Sequence, residues 1–420
     1  MNRVEIVSAL RELPGDDSEL YRKAQAEASE APPAVREVVV TLKLAAPVEA
    51  VLSKQPEFAG ENGFKIHGPN YTHSFRSSEA GPIMVDKIRA GASPEAVIDW
   101  LEKVLRAERA EGLSVMALWG ITTEARIELG HGIALIPFNQ LPESSQRDYL
   151  LTPRRSGAFG FSFPRSQPPT VALTVPEIVE PFITRSLERS DPPTDPFKTR
   201  NLLEDARLAL TSLGPSAPLE AGSWFQHDDP DLRAAAAYGG IMTTMHEIPG
   251  SGFEPDTAIA PADARQVVSG FLALKDASRA KVRVSLERLN QAMRRRAPGD
   301  KALELSIALE ALLTAGDEQP GEHTYKVGLR ASLLVGVDVK QRVENRAIVA
   351  AVYRLRSAVM HRGTAPESMH VRGQGDLASS ELVGSGASVA ASAIRRVLCE
   401  GNLPNWYDLE VGGTSSVLTE

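Results

Sequence analysis

Hydrophobic residues follow two different spacings along this chain. Up to residue 262, short apolar runs alternate with glycine- and proline-rich stretches, as in strands that are joined by turns. From Pro261 onward, apolar residues recur every three or four positions over long stretches, which predicts helices with one buried face. The pattern therefore predicts an α+β protein, in which a β-rich mixed N-terminal region precedes an all-α helical bundle.

The same pattern divides the chain into segments. Residues 1–31 are polar and are expected to form an arm, and 32–262 form the β-rich region, with an internal break near the proline-rich stretch 152–200. Residues 263–405 form the bundle, and 406–420 form a C-terminal tail. The two large segments are each long enough to bury a core of their own.

Individual elements follow from local spacing. Residues 36–52 alternate and then run apolar, which predicts a strand followed by a short helix. A helical stripe begins with Ser93 as its N-cap and is expected to stop at Gly112. Residues 113–138 predict two or three strands with glycine turns, and 201–214 fit either a helix or a pair of strands.

Helices with short connections are expected to fill the bundle. Their predicted ranges are 264–274, 277–296, 301–315, 325–336, 339–361 and 387–400. Pro298 and Gly336 mark two of the ends. The glycine- and serine-rich stretch 373–386 is expected to be a loop before the last helix.

Composition indicates the cellular location of the protein. No apolar stretch approaches the ~20 residues of a membrane span, and the first residues lack the apolar segment of a secretory signal. The single cysteine, Cys399, excludes an intramolecular disulfide and a multi-cysteine metal site. We therefore expect a cytoplasmic protein without membrane contact.

The charge is distributed unevenly. The whole chain has a net charge of −8, but residues 264–405 hold 21 Lys and Arg against 14 Asp and Glu, which gives +7. A basic segment in an acidic protein favours an anionic partner such as nucleic acid. The alternative is that these arginines simply lie on the solvent-exposed faces of helices.

Arg356 and His361 are the candidate catalytic pair. They stand five residues apart on a predicted helix, which places them about 140° apart around its axis. They converge only if the helix ends or loosens near His361, and Arg362-Gly363 predicts such an end.

Glu310 is a second unusual residue, because it shares a helical face with apolar residues. Burial of a carboxylate is costly unless a basic group pairs with it. Arg356 and Arg330 are the available partners on neighbouring predicted helices, and one of them is expected to hold Glu310.

Three stretches in order carry a resemblance to a known family. They are RLNQAMRRRAPGDKALELSIALEALLTAG, YKVGLRASLLVG and VYRLRSAVMHRG, which end in an Arg-x4-His pair. This order resembles the HEPN superfamily, and most of all its Apea-like branch from prokaryotic defence proteins. The resemblance covers about one third of the chain, and residues 113–150 are similar to β-rich regions that are fused to that branch.

The resemblance implies a function. Many HEPN proteins are metal-independent endoribonucleases, in which two Arg-x4-His helices of a homodimer form one composite site. His361 would then be the general acid or base, and Arg356 would stabilise the phosphoryl charge. The implied role is antiphage or abortive-infection defence, with RNA, tRNA included, as the substrate and no cofactor. Glu310, Ser357 and Arg330 would support the site.

Ser357 is a departure from the family pattern, since many active HEPN nucleases carry an amide, acid or imidazole after the arginine. A second hypothesis therefore stands beside the nuclease: a dimeric HEPN module that binds RNA or a protein without cleaving RNA.

Further basic residues are candidates for contact with RNA. They are Arg294, Arg295, Arg296, Arg362 and Arg372. The first three also suit a helix C-terminus, where the helix dipole favours cations, and the other two also suit a solvated loop. His370 is a candidate to assist the site.

Two acid–histidine runs, His227-Asp228-Asp229 and His246-Glu247, suggest a metal site. Adjacent side chains in a turn rarely converge on one ion, so no metal is expected.

Overall fold

The computed structural model is an α+β protein with several small sheets, and about 60% of the residues that it describes are helical. Its elements form an N-terminal helical layer, a central antiparallel sheet and a C-terminal helical bundle. The structure describes residues 1–13, 18–29, 36–59, 63–69, 71–151, 168–185, 197–214, 217–236, 256–314 and 323–412.

The N-terminal layer combines helices with a small antiparallel sheet of order β2-β1-β8. The helices are α1 (Arg3–Arg11), α2 (Glu19–Ala28), α3 (Arg36–Leu52), α4 (Ser77–Arg89) and α5 (Pro94–Leu105), and the strands are β1 (Phe64–His67), β2 (Thr72–Phe75) and β8 (Ile183–Arg185). These elements share one hydrophobic core. The stretch expected to be an arm contains α1 and α2, and α1 buries Ile6 and Leu10 in that core.

The strand and short helix predicted over 36–52 are wrong, because α3 is one continuous helix. Its buried side chains form a stripe with a spacing of four: Val40, Leu44, Val48 and Leu52. This stripe packs against α1 and α4, so tertiary contacts override the strand preference of the β-branched residues at the start of the helix.

Ser93 caps α5 as predicted, since its hydroxyl accepts a hydrogen bond from the Ala96 N–H at 3.2 Å. The helix ends at Leu105, and the predicted end at Gly112 is wrong. Gly112 lies within a strand, where a β-carbon would come 2.3 Å from the carbonyl oxygen of Gln226. The glycine therefore permits a close approach of two strands rather than the end of a helix.

The central sheet has the strand order β5-β6-β7-β3-β9, with antiparallel neighbours. Its strands are β3 (Ala110–Trp119), β5 (Ile127–Gly130), β6 (Ile133–Pro137), β7 (Val171–Val179) and β9 (Leu219–His227), and a separate parallel pair joins β4 (Ile121–Thr122) to β10 (Thr257–Ala258). The strands predicted over 113–138 are confirmed. The β5–β6 turn has positive φ at Gly130, His131 and Gly132, which explains its two glycines.

Three more helices each follow a strand in the sequence. They are α6 (Ser145–Leu151), α7 (Lys198–Leu210) and α8 (Pro230–Ala235). The helix α7 resolves the alternatives for 201–214 in favour of a helix. Asp229 follows β9 and caps α8.

The C-terminal bundle is helical as predicted. It contains α9 (Pro261–Ala273), α10 (Asp276–Arg294), α11 (Pro298–Leu313), α12 (His323–Val335), α13 (Val339–Arg362), α14 (Ser379–Glu400) and α15 (Trp406–Gly412), with a hairpin of β11 (Ser368–Val371) and β12 (Gly375–Ala378) between α13 and α14. The HEPN identity of this bundle stays a prediction.

The loop predicted over 373–386 is wrong, because β12 and the first turns of α14 occupy this stretch. Its small residues allow helices to approach closely. A β-carbon at Gly386 would lie 2.7 Å from a methyl group of Val352 on α13, so glycine lets α14 pack on the middle of the long helix.

The bundle and the central sheet share one hydrophobic core. This core runs from Met116 and Leu118 on β3 through α7 to Leu409 on α15. A second core lies in the N-terminal layer, and a small third core covers the other face of the sheet. The predicted limits of the domains stay a prediction.

One helix qualifies the expectation that no segment is able to span a membrane. Within the described residues, α14 is long and apolar enough by length and composition alone. Much of its apolar surface, including Leu382, Ile394 and Val397, is buried in the bundle core, so the composition has an explanation in the fold.

Candidate functional site

Arg356 on α13 is paired with Glu310 on α11. The arginine Nη1 donates a hydrogen bond to Glu310 Oε1 at 3.0 Å, and both side chains are about one third exposed. The predicted ion pair is therefore present, with Arg356 as the partner. Glu310 lies at the edge of the bundle rather than inside it, which lowers the cost of its charge.

Arg330, the other predicted partner, makes different contacts. It donates to Glu410 Oε1 at 2.7 Å and to the Leu313 carbonyl oxygen at 2.6 Å, and its guanidinium stacks on the ring of Trp406. Arg330 is buried and connects α11 and α12 to the C-terminal helix α15. These contacts stabilise the bundle, and Glu310 pairs with Arg356 instead.

Tyr353 completes the surroundings of Arg356. The tyrosine is buried one helical turn before Arg356, and the guanidinium carbon lies 5.9 Å from its ring centroid. Burial raises the pKa of Tyr353, and the negative charge of Glu310 raises it further. Sequence reasoning missed this residue because a tyrosine in an apolar stripe looks like an ordinary core residue; its i, i+3 spacing from Arg356 was the available signal.

His361 lies in the last turn of α13, which ends at Gly363 in the left-handed conformation, φ 74°. The predicted helix end is confirmed. The last turn stays regular, however, because the Gly363 N–H donates to the Val359 carbonyl oxygen at 2.8 Å. The separation of about 140° between Arg356 and His361 therefore persists, and the expected convergence within one chain does not occur.

The exposed face of α13 carries His361 together with Ser357 and Arg354, which precede it by four and seven residues. All three side chains are exposed, whereas Arg356 points toward α11. Among the described residues, His361 and Ser357 have no side-chain hydrogen-bond or ion-pair partner. This face is open for contact with another molecule.

The β11–β12 hairpin lies beside this face. Arg354 donates to the carbonyl oxygen of His370, and the His370 Nδ1 is 2.9 Å from Asp376 Oδ1 on the facing strand. Arg372 is exposed in the hairpin turn, and Arg362 is exposed at the end of α13. Within the described part of the chain, neither arginine has a side-chain partner, so both are able to bind an anion.

The basic run at the end of α10 is largely used by the fold. Arg295 donates to Glu304 at 3.0 Å, and Arg294 and Arg296 also have interaction partners. Glu304 is a buried carboxylate that sequence reasoning missed. The available signal was the seven-residue spacing of Arg288 and Arg295, which places both arginines on one face of α10 at its C-terminal end.

The acid–histidine run at 227–229 does not converge. His227 is buried between the rings of Phe182 and Phe225, with both ring nitrogens unpartnered, and burial lowers its pKa to about 4. Asp229 caps α8 instead. His246 and Glu247 lie outside the described residues, and no metal-holding group of three or more His, Cys, Asp or Glu occurs within them.

Arg356 and His361 offer two chemical functions, anion binding and proton exchange. Arg356 uses one Nη for Glu310, while its Nε and other Nη have no partner among the described residues, so the partly exposed guanidinium is able to bind a phosphate. His361 is able to exchange protons with a bound molecule. The two project from different sides of one helix. Comparisons with protein-family models, curated proteins and solved structures found no match.

Proposed function

We propose that this protein is a metal-independent endoribonuclease of the HEPN type, which acts as a homodimer in the cytoplasm of a prokaryote as part of antiphage or abortive-infection defence. The observation that carries the proposal is the partly exposed Arg356, which Glu310 holds in place while two of its donor groups stay available. Such a fixed, partly desolvated guanidinium suits a phosphodiester that gains negative charge in a transition state.

The proposed reaction is a transesterification. The RNA 2′-oxygen attacks the adjacent phosphorus and forms a new P–O bond, and the bond to the 5′-oxygen breaks. A histidine takes the 2′-hydroxyl proton, and an acid donates a proton to the leaving 5′-oxygen. His361 from each of two chains supplies both groups, and Arg356 neutralises the phosphoryl oxygens. The products are a 2′,3′-cyclic phosphate and a 5′-hydroxyl.

The test is RNA cleavage by the purified full-length protein. Wild type should convert labelled RNA, tRNA included, into fragments that end in 2′,3′-cyclic phosphate without added metal. Arg356→Ala and His361→Ala should each abolish cleavage, while Arg106→Ala, an exposed arginine of the N-terminal layer, should not. Equal cleavage by wild type and both site variants, or none by any, overturns the proposal.

A non-catalytic dimeric module that binds RNA or a protein is the second candidate. It is favoured by the open face of α13, where Ser357 and His361 have no side-chain partner among the described residues and the exposed Val339 and Val343 continue the same side of the helix. A binding module should retain RNA with an affinity that falls steeply as salt rises, and it should yield no cleavage products.

A further inference from the structure

Tyr353 lies close to Arg356 and to the turn of α11 that carries Glu310. Its hydroxyl donates to the carbonyl oxygen of Ser306 at 3.4 Å, and Ser306 precedes Glu310 by one turn on α11. The hydroxyl therefore lies beside the turn of α11 that carries the carboxylate. The tyrosine ring meanwhile lies within the roughly 6 Å range in which a guanidinium is attracted to an aromatic face.

These contacts restrict Arg356 from two directions. Glu310 holds one end of the guanidinium through Nη1, and the buried ring of Tyr353 flanks the guanidinium. A free arginine side chain loses considerable rotamer entropy when it is fixed on a ligand. Here that entropy is lost during folding, and Nε and the second Nη stay available.

We infer that Tyr353 is a positioning residue for Arg356: its hydroxyl holds the turn of α11 that carries Glu310, and its ring limits the movement of the guanidinium. This inference rests on the proposed function, since the arginine is positioned for the phosphoryl group of RNA. Tyr353 itself is buried and does not need to touch the substrate.

The test compares Tyr353→Phe, Glu310→Gln and the double variant in the full-length protein. Tyr353→Phe keeps the ring and removes only the hydroxyl. The cleavage rate at saturating protein should fall by about 10- to 100-fold, as expected for a misplaced reacting group. The affinity for RNA with 2′-deoxy residues, which cannot be cleaved, should change by less than about threefold, because phosphate binding uses other groups of Arg356.

The double variant separates positioning from a general loss of structure. If the hydroxyl acts through Glu310, the double variant should be no slower than the slower single variant. Tyr407→Phe, on the exposed surface of α15, is the matched control and should cleave at the wild-type rate. Thermal unfolding of each variant shows that the protein is folded at the assay temperature.

The two proposals fail differently. If wild type cleaves RNA but Tyr353→Phe cleaves at the same rate, or the losses of the two single variants multiply in the double variant, the positioning role is wrong and the nuclease stands. If folded wild type does not cleave RNA at all, both are wrong.

Discussion

Arg295 and Glu304 form an ion pair across the contact between α10 and α11, with Arg295 Nη2 3.0 Å from Glu304 Oε1. Arg288 donates to the other carboxylate oxygen at 3.2 Å. Glu304 is buried, so its charge depends on these two arginines. Arg295 therefore serves the fold, and it differs from the exposed Arg362 and Arg372, whose side chains have no partner among the described residues.

The double variant Arg288→Ala/Arg295→Ala should leave Glu304 as an unpaired buried charge. We expect the free energy of unfolding to fall by about 3 kcal/mol. Each single variant should cost less, about 1 kcal/mol, because each arginine is partly exposed and the other remains. Urea unfolding measures these values, with Arg372→Ala as a control that changes stability by less than about 0.5 kcal/mol. If the double variant is as stable as the control, Glu304 does not depend on these two arginines.

Gly270→Ala should destabilise the bundle strongly. A β-carbon at Gly270 on α9 would lie 1.8 Å from the carbonyl oxygen of Leu398 on α14, and backbone at a helix crossing has little room to move. We expect a loss of about 3 kcal/mol in urea unfolding. Gly384→Ala is the matched control, since its β-carbon would meet open space within α14. It should be neutral or stabilise by up to about 1 kcal/mol. Equal effects of the two substitutions contradict this explanation.

The sequence predicted those features that depend on local spacing. The 3.6-residue periodicity was sufficient for α10 to α13, and the capping residue Ser93 marked the start of α5. The Glu310–Arg356 pair was predictable because an acidic residue beside apolar ones requires a basic partner, and few were available.

Other features depend on contacts between distant segments. The β-branched start of α3 resembles a strand until its neighbours α1 and α4 are known. The serines and glycines at the start of α14 resemble a loop until Val352 is seen against Gly386. The position of Tyr353 was missed for the same reason, since its hydrogen bond to Ser306 crosses from α13 to α11.

His227 should make the protein less stable in acid. Burial lowers its pKa from 6.5 to about 4, and Arg233 and the nearby His73 also disfavour its charge, while Asp229 favours it. The unfolded chain therefore takes up a proton below pH 6.5 that the folded chain does not. Between pH 6.5 and 4, this residue should lower the unfolding free energy by about 1.4 kcal/mol per pH unit, or roughly 3 kcal/mol in all.

The measurement is urea unfolding of wild type and His227→Phe at several pH values from about 7 to 4. Phenylalanine suits this position because Phe182 and Phe225 surround it and the ring nitrogens of His227 have no partner. The variant should lose less stability than wild type as the pH falls. If the unfolding free energies of the two proteins fall in parallel with pH, His227 is not the source of the loss of stability in acid.

Arg362 and Arg372 should contribute to RNA binding through the phosphate backbone alone, if the protein binds RNA as proposed. Arg362 follows His361 directly, and Arg372 lies in the hairpin that Arg354 contacts. Both are exposed and have no side-chain partner among the described residues, so no ion pair has to break before they bind a phosphate. Removal of both charges should weaken binding at low salt for any RNA sequence. The slope of log affinity against log salt concentration should become shallower by about 1.4, since each phosphate that is neutralised on a single strand contributes about 0.7.

Fluorescence anisotropy with labelled RNA over a salt series measures this slope for wild type and for Arg362→Ala/Arg372→Ala. A double variant of exposed arginines in the N-terminal layer, Arg106→Ala/Arg109→Ala, matches the change in net charge and should keep the wild-type slope. Because both double variants alter the overall charge equally, only local binding of phosphate explains a difference between them. Equal slopes for the two double variants would place the RNA away from the end of α13, and with it away from Arg356 and His361.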